Sequence, residues 1–127
     1  MSRLNIPSGA KWENVVGYSR AVRIGNIIEV SGTASADGEK IIGIGSPYEQ
    51  ARFIIQKIEK ALIEAGASLK DVIRTRIYVT DISRWEEIAK AHREFFGDIK
   101  PVTTMLEVKA FIAPELLVEI EATAILE

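Results

Sequence analysis

The chain has 127 residues, a formal net charge of −2 and no cysteine. This length predicts one domain over residues 1–127 with a hydrophobic core of its own. The absence of cysteine excludes disulfides, thiolate chemistry and cysteine-bound zinc, and a single histidine cannot form a histidine-rich metal site, so we expect no metal. The negative net charge argues against a nucleic-acid partner.

The sequence carries no signal for a membrane-bound or exported protein. No apolar run approaches the ~20 residues of a membrane span. Residues 1–7 lack the apolar core of a signal peptide. We therefore expect a cytoplasmic protein with no membrane partner.

The first predicted elements are two β-strands joined by a tight turn. The β-rich runs Ser19–Ile24 and Ile27–Ser31 flank Gly25 and Asn26, a dipeptide that favours a two-residue hairpin turn. Residues 32–38 are small and polar, which predicts a loop that another backbone or a ligand can approach closely.

Two helices are predicted from capping residues and apolar spacing. Ser46, followed by proline and then by glutamate three residues after the serine, begins the first helix, and Gly66 ends it as a left-handed cap. Ser83 begins the second helix with a similar capping box, and Gly97 closes it. The predicted helices are about 20 and about 14 residues long.

Three further strands are predicted over Asp71–Val79, Thr103–Phe111 and Leu117–Ile125. In the last of these, Glu119 and Glu121 are two residues apart, so both carboxylates lie on one face of the strand. A short strand is also predicted over residues 4–6, before a proline. The resulting fold class is α+β, a six-stranded mixed sheet with two helices on one face.

The face of the sheet without helices is the candidate surface for self-association. We expect it to carry the two glutamates together with Thr103, Met105 and Phe111, a set that is partly apolar and partly charged. A sheet face of this kind needs cover from another molecule.

The order and spacing of several motifs resemble the RidA/YjgF family, also called the L-PSP endoribonuclease family. The C-terminal signature is Pro-x-x-[Ser/Thr]-x-[Val/Leu]-Glu-Val from Pro101, followed by a proline and then by Val118-Glu119-Ile120-Glu121-Ala122. The earlier matching motifs are Tyr18-Ser19-Arg20-Ala21-Val22, Gly25-Asn26 and Val30-Ser31-Gly32. The resemblance covers the chain from about Tyr18 to Ala124.

The resemblance implies a chorismate-mutase-like fold assembled as a homotrimer. Small-molecule ligands or substrates would occupy the three clefts between subunits, and no cofactor would be needed. The implied reaction is that of the enamine/imine deaminases, which hydrolyse small reactive imines such as 2-iminobutanoate and 2-iminopropanoate.

The resemblance also implies roles for individual residues. Glu119 would position the water that attacks the imine, which suits a carboxylate able to accept a proton and return it to the leaving amine. Tyr18 would line the cleft, and Ser31, Gly32 and Thr33 would place backbone groups against the ligand. The residues alone leave open a solvated strand glutamate, an aromatic side chain at the core edge and a plain loop of small residues.

One departure from the deaminase pattern affects the function most. The deaminase branch carries an arginine two residues after the strand-opening proline, where it holds the substrate carboxylate, and this chain has Thr103 there. A hydroxyl cannot replace a bidentate guanidinium. Arg20, Arg76 and Lys100 are possible substitutes, and without one of them we expect deamination of 2-imino acids to be inefficient.

Other positions depart from the same pattern. His92 stands where deaminase-type members have tyrosine, Ala89 stands where they have asparagine, and Met105 stands where cysteine is frequent. On the apolar stripe of a helix, a lone histidine suits hydrogen-bonded packing as well as a site role. We keep His92 and Met105 as candidate ligand contacts.

Three functions follow from these observations. The first is imine or enamine hydrolysis, with activity weakened or altered by Thr103. The second is a non-catalytic trimer that binds or senses a small molecule. The third is an RNA-cleaving translation inhibitor, which the negative charge and the unpartnered histidine do not favour.

Overall fold

The computed structural model describes residues 2–127, so Met1 of the predicted domain lies outside the described residues. The strands are β1 (Arg3–Ile6), β2 (Ala21–Ile24), β3 (Ile27–Ala34), β4 (Ala36–Asp37), β5 (Lys40–Ile41), β6 (Val72–Val79), β7 (Val102–Glu107) and β8 (Val118–Ile125). The helices are α1 (Pro47–Glu64) and α2 (Trp85–Phe96). Within the described part of the chain, no helix is long and apolar enough to cross a membrane.

Six strands form one mixed sheet in the order β1-β2-β3-β8-β6-β7. Strands β6 and β7 are parallel, and the other neighbours are antiparallel. Both helices cover one face, called here the helix face, where the buried sheet residues include Ile28, Val30, Ile77, Val79, Val118 and Ile120. The α+β prediction is confirmed.

The opposite face of the sheet, called here the open face, carries the polar side chains of the central strands. Residues Glu119, Glu121 and Thr123 of β8 alternate with the buried residues of the same strand. Tyr78 and Arg76 of β6 are in register with Glu119 and Glu121. The predicted placement of the two glutamates on one face is confirmed.

The hairpin prediction is confirmed, because Ile24 pairs with Ile27 across the Gly25-Asn26 turn. The predicted loop over residues 32–38 is wrong. Strand β3 continues to Ala34 through an irregularity between Val30 and Thr33, and β4 and β5 then form a small ribbon. Small side chains allow this bulge, where the strand bends and changes the direction of its side chains.

The caps of α1 are those predicted. Ser46 Oγ accepts a hydrogen bond from the backbone N–H of Glu49, and Gly66 follows the helix with φ of 90°. The predicted start of α2 is wrong in detail. Asp81, not Ser83, accepts the N–H bond, within a short 3-10 turn that precedes the helix.

The predicted strand Thr103–Phe111 is too long, since β7 ends at Glu107. Among residues 2–127, β7 pairs with β6 alone; β6 ends at Val79, and the backbone N–H of Val108 donates to the carbonyl of Val79. Beyond that bond, no strand in the described part of the chain continues the ladder.

The predicted faces of β7 are also wrong. Thr103 pairs with the buried Thr75, and Met105 pairs with the buried Ile77, so both side chains lie on the helix face. The open face receives Thr104, Leu106 and Val102 instead. The parallel register with β6 decides the face, and alternation within β7 alone cannot.

Candidate functional site

A groove of about 760 Å³ runs along the open face beside the N-terminal segment. Four residues of interest line it: Tyr18, Ser31, Arg76 and Glu121. Its lining is mostly polar and carries both signs of charge, which suits a small polar ligand more than an apolar one.

Glu119 lies on the same face as Glu121, two residues earlier on β8, and its side chain is half-buried. Its carboxylate rests against Gly32, where an added Cβ would come within 2.7 Å of Oε1. In residues 2–127 no side chain or backbone N–H donates to this carboxylate within hydrogen-bonding distance. Both oxygens therefore remain available to a water molecule or a ligand.

The surroundings of Glu119 favour its protonated form. Burial raises the pKa of the Glu119 carboxyl, the negative Glu121 raises it further, and the positive Arg20 opposes the rise. A carboxylate with a raised pKa is a better proton acceptor than one at its ordinary value, and it suits work as a general base near neutral pH.

Arg20 lies immediately behind the bulged segment of β3 that touches Glu119. It is only 6% exposed, and its Nη1 donates to Ser31 Oγ at 2.9 Å, to the Gly32 carbonyl at 2.8 Å and to Thr33 Oγ1 at 3.2 Å. Thr33 is fully buried and donates to the carbonyl of Ser31 at 2.8 Å, so its side chain supports this segment from behind.

Arg76 is one of two accessible cations that line the groove, and the other is Arg3. The Arg76 Nη1 lies 3.8 Å from Glu121 Oε1, with about half of the arginine side chain exposed. Tyr78 donates to the same Glu121 oxygen at 3.1 Å, and burial together with this bond raises the pKa of Tyr78. Glu121 is therefore paired with Arg76 of the neighbouring strand.

Thr103 belongs to a different polar cluster, on the helix face. Its hydroxyl lies 2.8 Å from Thr75 Oγ1, which in turn lies 2.9 Å from His92 Nε2 on α2. Thr103 also donates to the carbonyl of Pro101 at 3.3 Å. The threonine is thus held toward α2 at the edge of the sheet.

His92 is half-buried, and its ring packs 4.7 Å from the ring of Phe96. Burial lowers the pKa of His92, so the imidazole is neutral at physiological pH. Met105 packs against the hydrophobic core. Both candidates therefore have a structural role visible in one chain.

The predicted residues separate into two groups in a single chain. Glu119, Ser31, Gly32, Tyr18 and Arg20 converge beside the open face, and Arg76 borders the same groove. Three other candidates lie on the helix side of the sheet: Thr103, Met105 and His92. One chain cannot bring both groups to one ligand.

Three residues that shape these groups were not predicted from the sequence: Glu13, Thr75 and Tyr78. Thr75 could have been recognised, because it is a polar residue on the same face of β6 as the buried Ile77 and Val79. Glu13 had none, because its contacts depend on how the N-terminal segment folds back.

The family model described as Endoribonuclease L-PSP matches residues 9–126. The chain belongs to this family, the RidA/YjgF family. The motifs that suggested it run from Tyr18 to Ala124, within the matched segment.

Individual members of the RidA/YjgF family are also similar to this chain. A Mycobacterium tuberculosis protein of the YjgF/YER057c/UK114 family has a crystal structure that superimposes with a TM-score of 0.89 at 53% identity, covering 98% of this chain and 100% of that one. An uncharacterized Streptomyces coelicolor protein is 36% identical over 119 residues, covering 94% of this chain and 89% of that protein.

A relative with a named activity is the 3-aminoacrylate deaminase RutC of Acinetobacter baylyi. It is 30% identical over 108 residues, which cover 84% of this chain and 85% of the relative. Its name refers to an amine-bearing double bond next to a carboxylate.

Proposed function

We propose that this RidA/YjgF protein hydrolyses small imines or enamines, with Glu119 as the general base. The observation that carries the proposal is the half-buried Glu119 carboxylate, which has a raised pKa, no hydrogen-bond donor within the described chain and direct contact with Gly32. The deaminase name of the Acinetobacter relative supports the same class of reaction.

In the proposed reaction, ionised Glu119 accepts a proton from water as the water oxygen bonds to the imine carbon. The C=N π electrons move to nitrogen, which takes up a proton from bulk water. Glu119 then returns its proton to that nitrogen, the C–N bond breaks, and ammonia leaves. The hydroxyl proton passes back to bulk solvent as the carbonyl forms. An enamine first takes a proton from solvent on carbon and loses one from nitrogen to become the imine. No step needs a cofactor.

We also propose that the functional unit is a homotrimer with ligands in the clefts between subunits. Support comes from the separation of Thr103 from Glu119 onto opposite faces of the sheet, since a shared site then requires a second copy. The edge strand β7 also presents exposed apolar side chains on the open face, with Val102 57% and Leu106 52% exposed.

The substrate carboxylate would be held differently from the arginine pattern. Thr103 brings no charge, and loss of a charge-assisted pair to a carboxylate typically costs ~2–5 kcal/mol of binding. Arg3 and Arg76 are accessible cations that line the groove. The hydrogen bonds of Arg20 are directed instead to Ser31 and Gly32 of the chain itself. We therefore propose weak or altered specificity for 2-imino acids.

A semicarbazide-competition assay tests the function. An amino-acid oxidase generates a series of 2-imino acids, and wild type and Thr103→Arg are compared with buffer. The proposal predicts that wild type accelerates hydrolysis, and that Thr103→Arg accelerates it further, because the arginine supplies a charged partner for the substrate carboxylate. If neither protein exceeds the buffer rate for any imine, the hydrolase proposal is wrong.

The second candidate is a non-catalytic binding trimer. The observation that favours it is that the Thr103 hydroxyl is already bonded to Thr75 and to the Pro101 carbonyl, so it offers a ligand little. A metabolite bound by the native state alone would raise the melting temperature. A clear rise with a metabolite, together with no hydrolysis of any imine, would therefore favour the binding function.

A further inference from the structure

Arg20 is the most deeply buried charged side chain near the proposed site. At 6% exposure, its guanidinium is almost removed from water. Burial of a charge is costly unless hydrogen bonds satisfy it, and the five donors of a guanidinium form a rigid planar fork. The partners of this fork therefore indicate what the charge is for.

On one side, the guanidinium holds the bulged segment of β3. Nη1 reaches the Ser31 hydroxyl, the Gly32 carbonyl and the Thr33 hydroxyl at 2.8 to 3.2 Å. Two hydrogen bonds run in the opposite direction, since the N–H and the hydroxyl of Ser31 donate to the Arg20 carbonyl at 2.9 and 3.2 Å. The position of Gly32, and with it the wall against Glu119, depends on these bonds.

On the other side, the fork reaches the N-terminal segment. Nε lies 3.5 Å from Ser8 Oγ, and Nη2 lies 3.4 Å from the Tyr18 hydroxyl. Glu13 is buried and accepts from the Ser8 N–H and hydroxyl, so Ser8 stands between the two opposite charges. Among residues 2–127, no carboxylate oxygen lies within 4.0 Å of the guanidinium.

We propose that Arg20 is the positioning residue of this site: it fixes the bulged segment Ser31–Thr33 of β3 against Glu119 and places an unneutralised positive charge beside that carboxylate. The inference rests on the proposed function in one respect, the use of Glu119 as the base. The guanidinium binds no substrate in this account, because its donors are directed to the chain itself.

The charge of Arg20 also affects the ionisation of Glu119. The charged or titratable groups around it are Glu121 on its own strand, Tyr78 and Arg76 on β6, and Arg20. Burial and Glu121 both raise the pKa of Glu119, and the charge of Arg20 lowers it. Removal of that charge should leave more of the base protonated at a given pH.

The experiment compares Arg20→Gln, which removes the charge, with Arg20→Lys, which keeps it but loses the fork. Arg23→Gln is the matched control, because Arg23 lies on β2, three residues after Arg20, and donates to the carbonyls of Gly25 and Ala65, away from Glu119. The readouts are a carbon NMR titration of the Glu119 carboxyl, which needs no activity, and the pH dependence of hydrolysis.

We expect Arg20→Gln to raise the pKa of Glu119, and to move the rising limb of the rate profile to higher pH by the same amount. Arg20→Lys should leave the titration near that of wild type and lower kcat about 10- to 100-fold, because the Ser31–Thr33 segment is no longer fixed. Arg23→Gln should change neither.

An unchanged Glu119 titration in Arg20→Gln, or an equal shift in Arg23→Gln, would overturn the proposed effect of the Arg20 charge on Glu119. Full kcat in Arg20→Lys would overturn the proposed positioning role, and this variant decides the question if Arg20→Gln does not fold. A wild type without hydrolytic activity would defeat the proposed function instead, while the titration would still test the effect of Arg20 on Glu119.

Discussion

At the residue scale, the contact between Glu119 and Gly32 is the most informative feature of the site. An alanine Cβ at position 32 would lie 2.7 Å from Glu119 Oε1, and the atom that must yield is the end of a flexible side chain. The backbone at Gly32 does not have the positive φ that would make alanine itself strained. Gly32→Ala is therefore a way to move the carboxylate without disturbing the fold.

We expect Gly32→Ala to lower imine hydrolysis by about 10- to 100-fold, because the carboxylate is displaced. Stability to urea should change by less than about 1 kcal/mol. The control is the same substitution in Glu119→Gln, where it should have little further effect, since the two changes act on one interaction. Independent, multiplying effects would show that Gly32 does not act through Glu119.

His92 carries a separate prediction at this scale, on stability. Burial sets its folded-state pKa below the ordinary value, so the unfolded chain binds the proton more tightly. The stabilising contribution is complete above about pH 6.5, the unfolded value, and is lost as pH falls through the lower folded pKa. The free energy of unfolding should therefore decline on acidification through this range.

Urea unfolding of wild type and His92→Gln at a series of pH values measures this effect. The chain has one histidine, so the variant removes the only imidazole. Glu119 responds in the opposite sense, since its raised pKa makes stability fall as pH rises through that pKa, and it is present in both proteins. An identical pH dependence in the two proteins would contradict the account.

At the element scale, α1 is attached to the loops at its N-terminal end by one buried side chain. Gln50 is fully buried, and its Nε2 donates to the carbonyls of Gly43 and Glu115 at 3.2 and 2.9 Å. Its Oε1 accepts from the backbone N–H of Leu117 at 2.9 Å. The segment before β8, and so the start of the strand that bears Glu119, depends on this glutamine.

We expect Gln50→Ala to lower the free energy of unfolding by about 2 to 4 kcal/mol, because three backbone groups lose the partner that this buried side chain provides. Gln56→Ala, at an exposed position of the same helix, should change it by less than about 0.5 kcal/mol. Denaturant melts of both variants measure the difference. Equal, small changes would mean that solvent readily replaces the Gln50 bonds.

The elements show which predictions local sequence can support. The Gly25-Asn26 hairpin and the Ser46 and Gly66 caps were predictable, because each depends on residues within a few positions of one another. The face of β7 was not, because it is set by parallel pairing with β6 across about 28 residues of chain. A register error of one residue exchanges the two faces completely.

The candidate site has the same division. Glu119, Ser31 and Gly32 were predictable from strand alternation and from the family motifs, and the structure brings them together. The contacts of Arg20 with Ser8, and of Ser8 with Glu13, could not be predicted, because they arise from a fold-back of the irregular N-terminal segment.

At the scale of the whole molecule, the proposed homotrimer would bring together the two groups of candidate residues, which lie on opposite faces of the sheet. A homotrimer would have three times the chain mass of 14.0 kDa. Leu106, half-exposed on the open face of the edge strand, is expected at a subunit contact, where a charge would be buried without a partner.

We expect Leu106→Asp to shift the protein toward monomer in analytical ultracentrifugation, and to lower hydrolysis in parallel. Ile63→Asp is the control, since Ile63 is 61% exposed on α1, on the other side of the molecule. A wild type that sediments as a monomer, or a monomeric Leu106→Asp with full activity, would contradict a site shared between subunits.

The most direct measurement is ammonia release from freshly generated imines by Glu119→Gln and Glu121→Gln beside wild type. The two glutamates lie on one face of one strand, but only Glu121 is bonded to Tyr78 and close to Arg76. The account predicts that Glu119→Gln loses at least about 100-fold in kcat, as expected for removal of a general base, and that Glu121→Gln loses less than about tenfold. Equal activity of Glu119→Gln and wild type would contradict the assignment of Glu119 as the catalytic base.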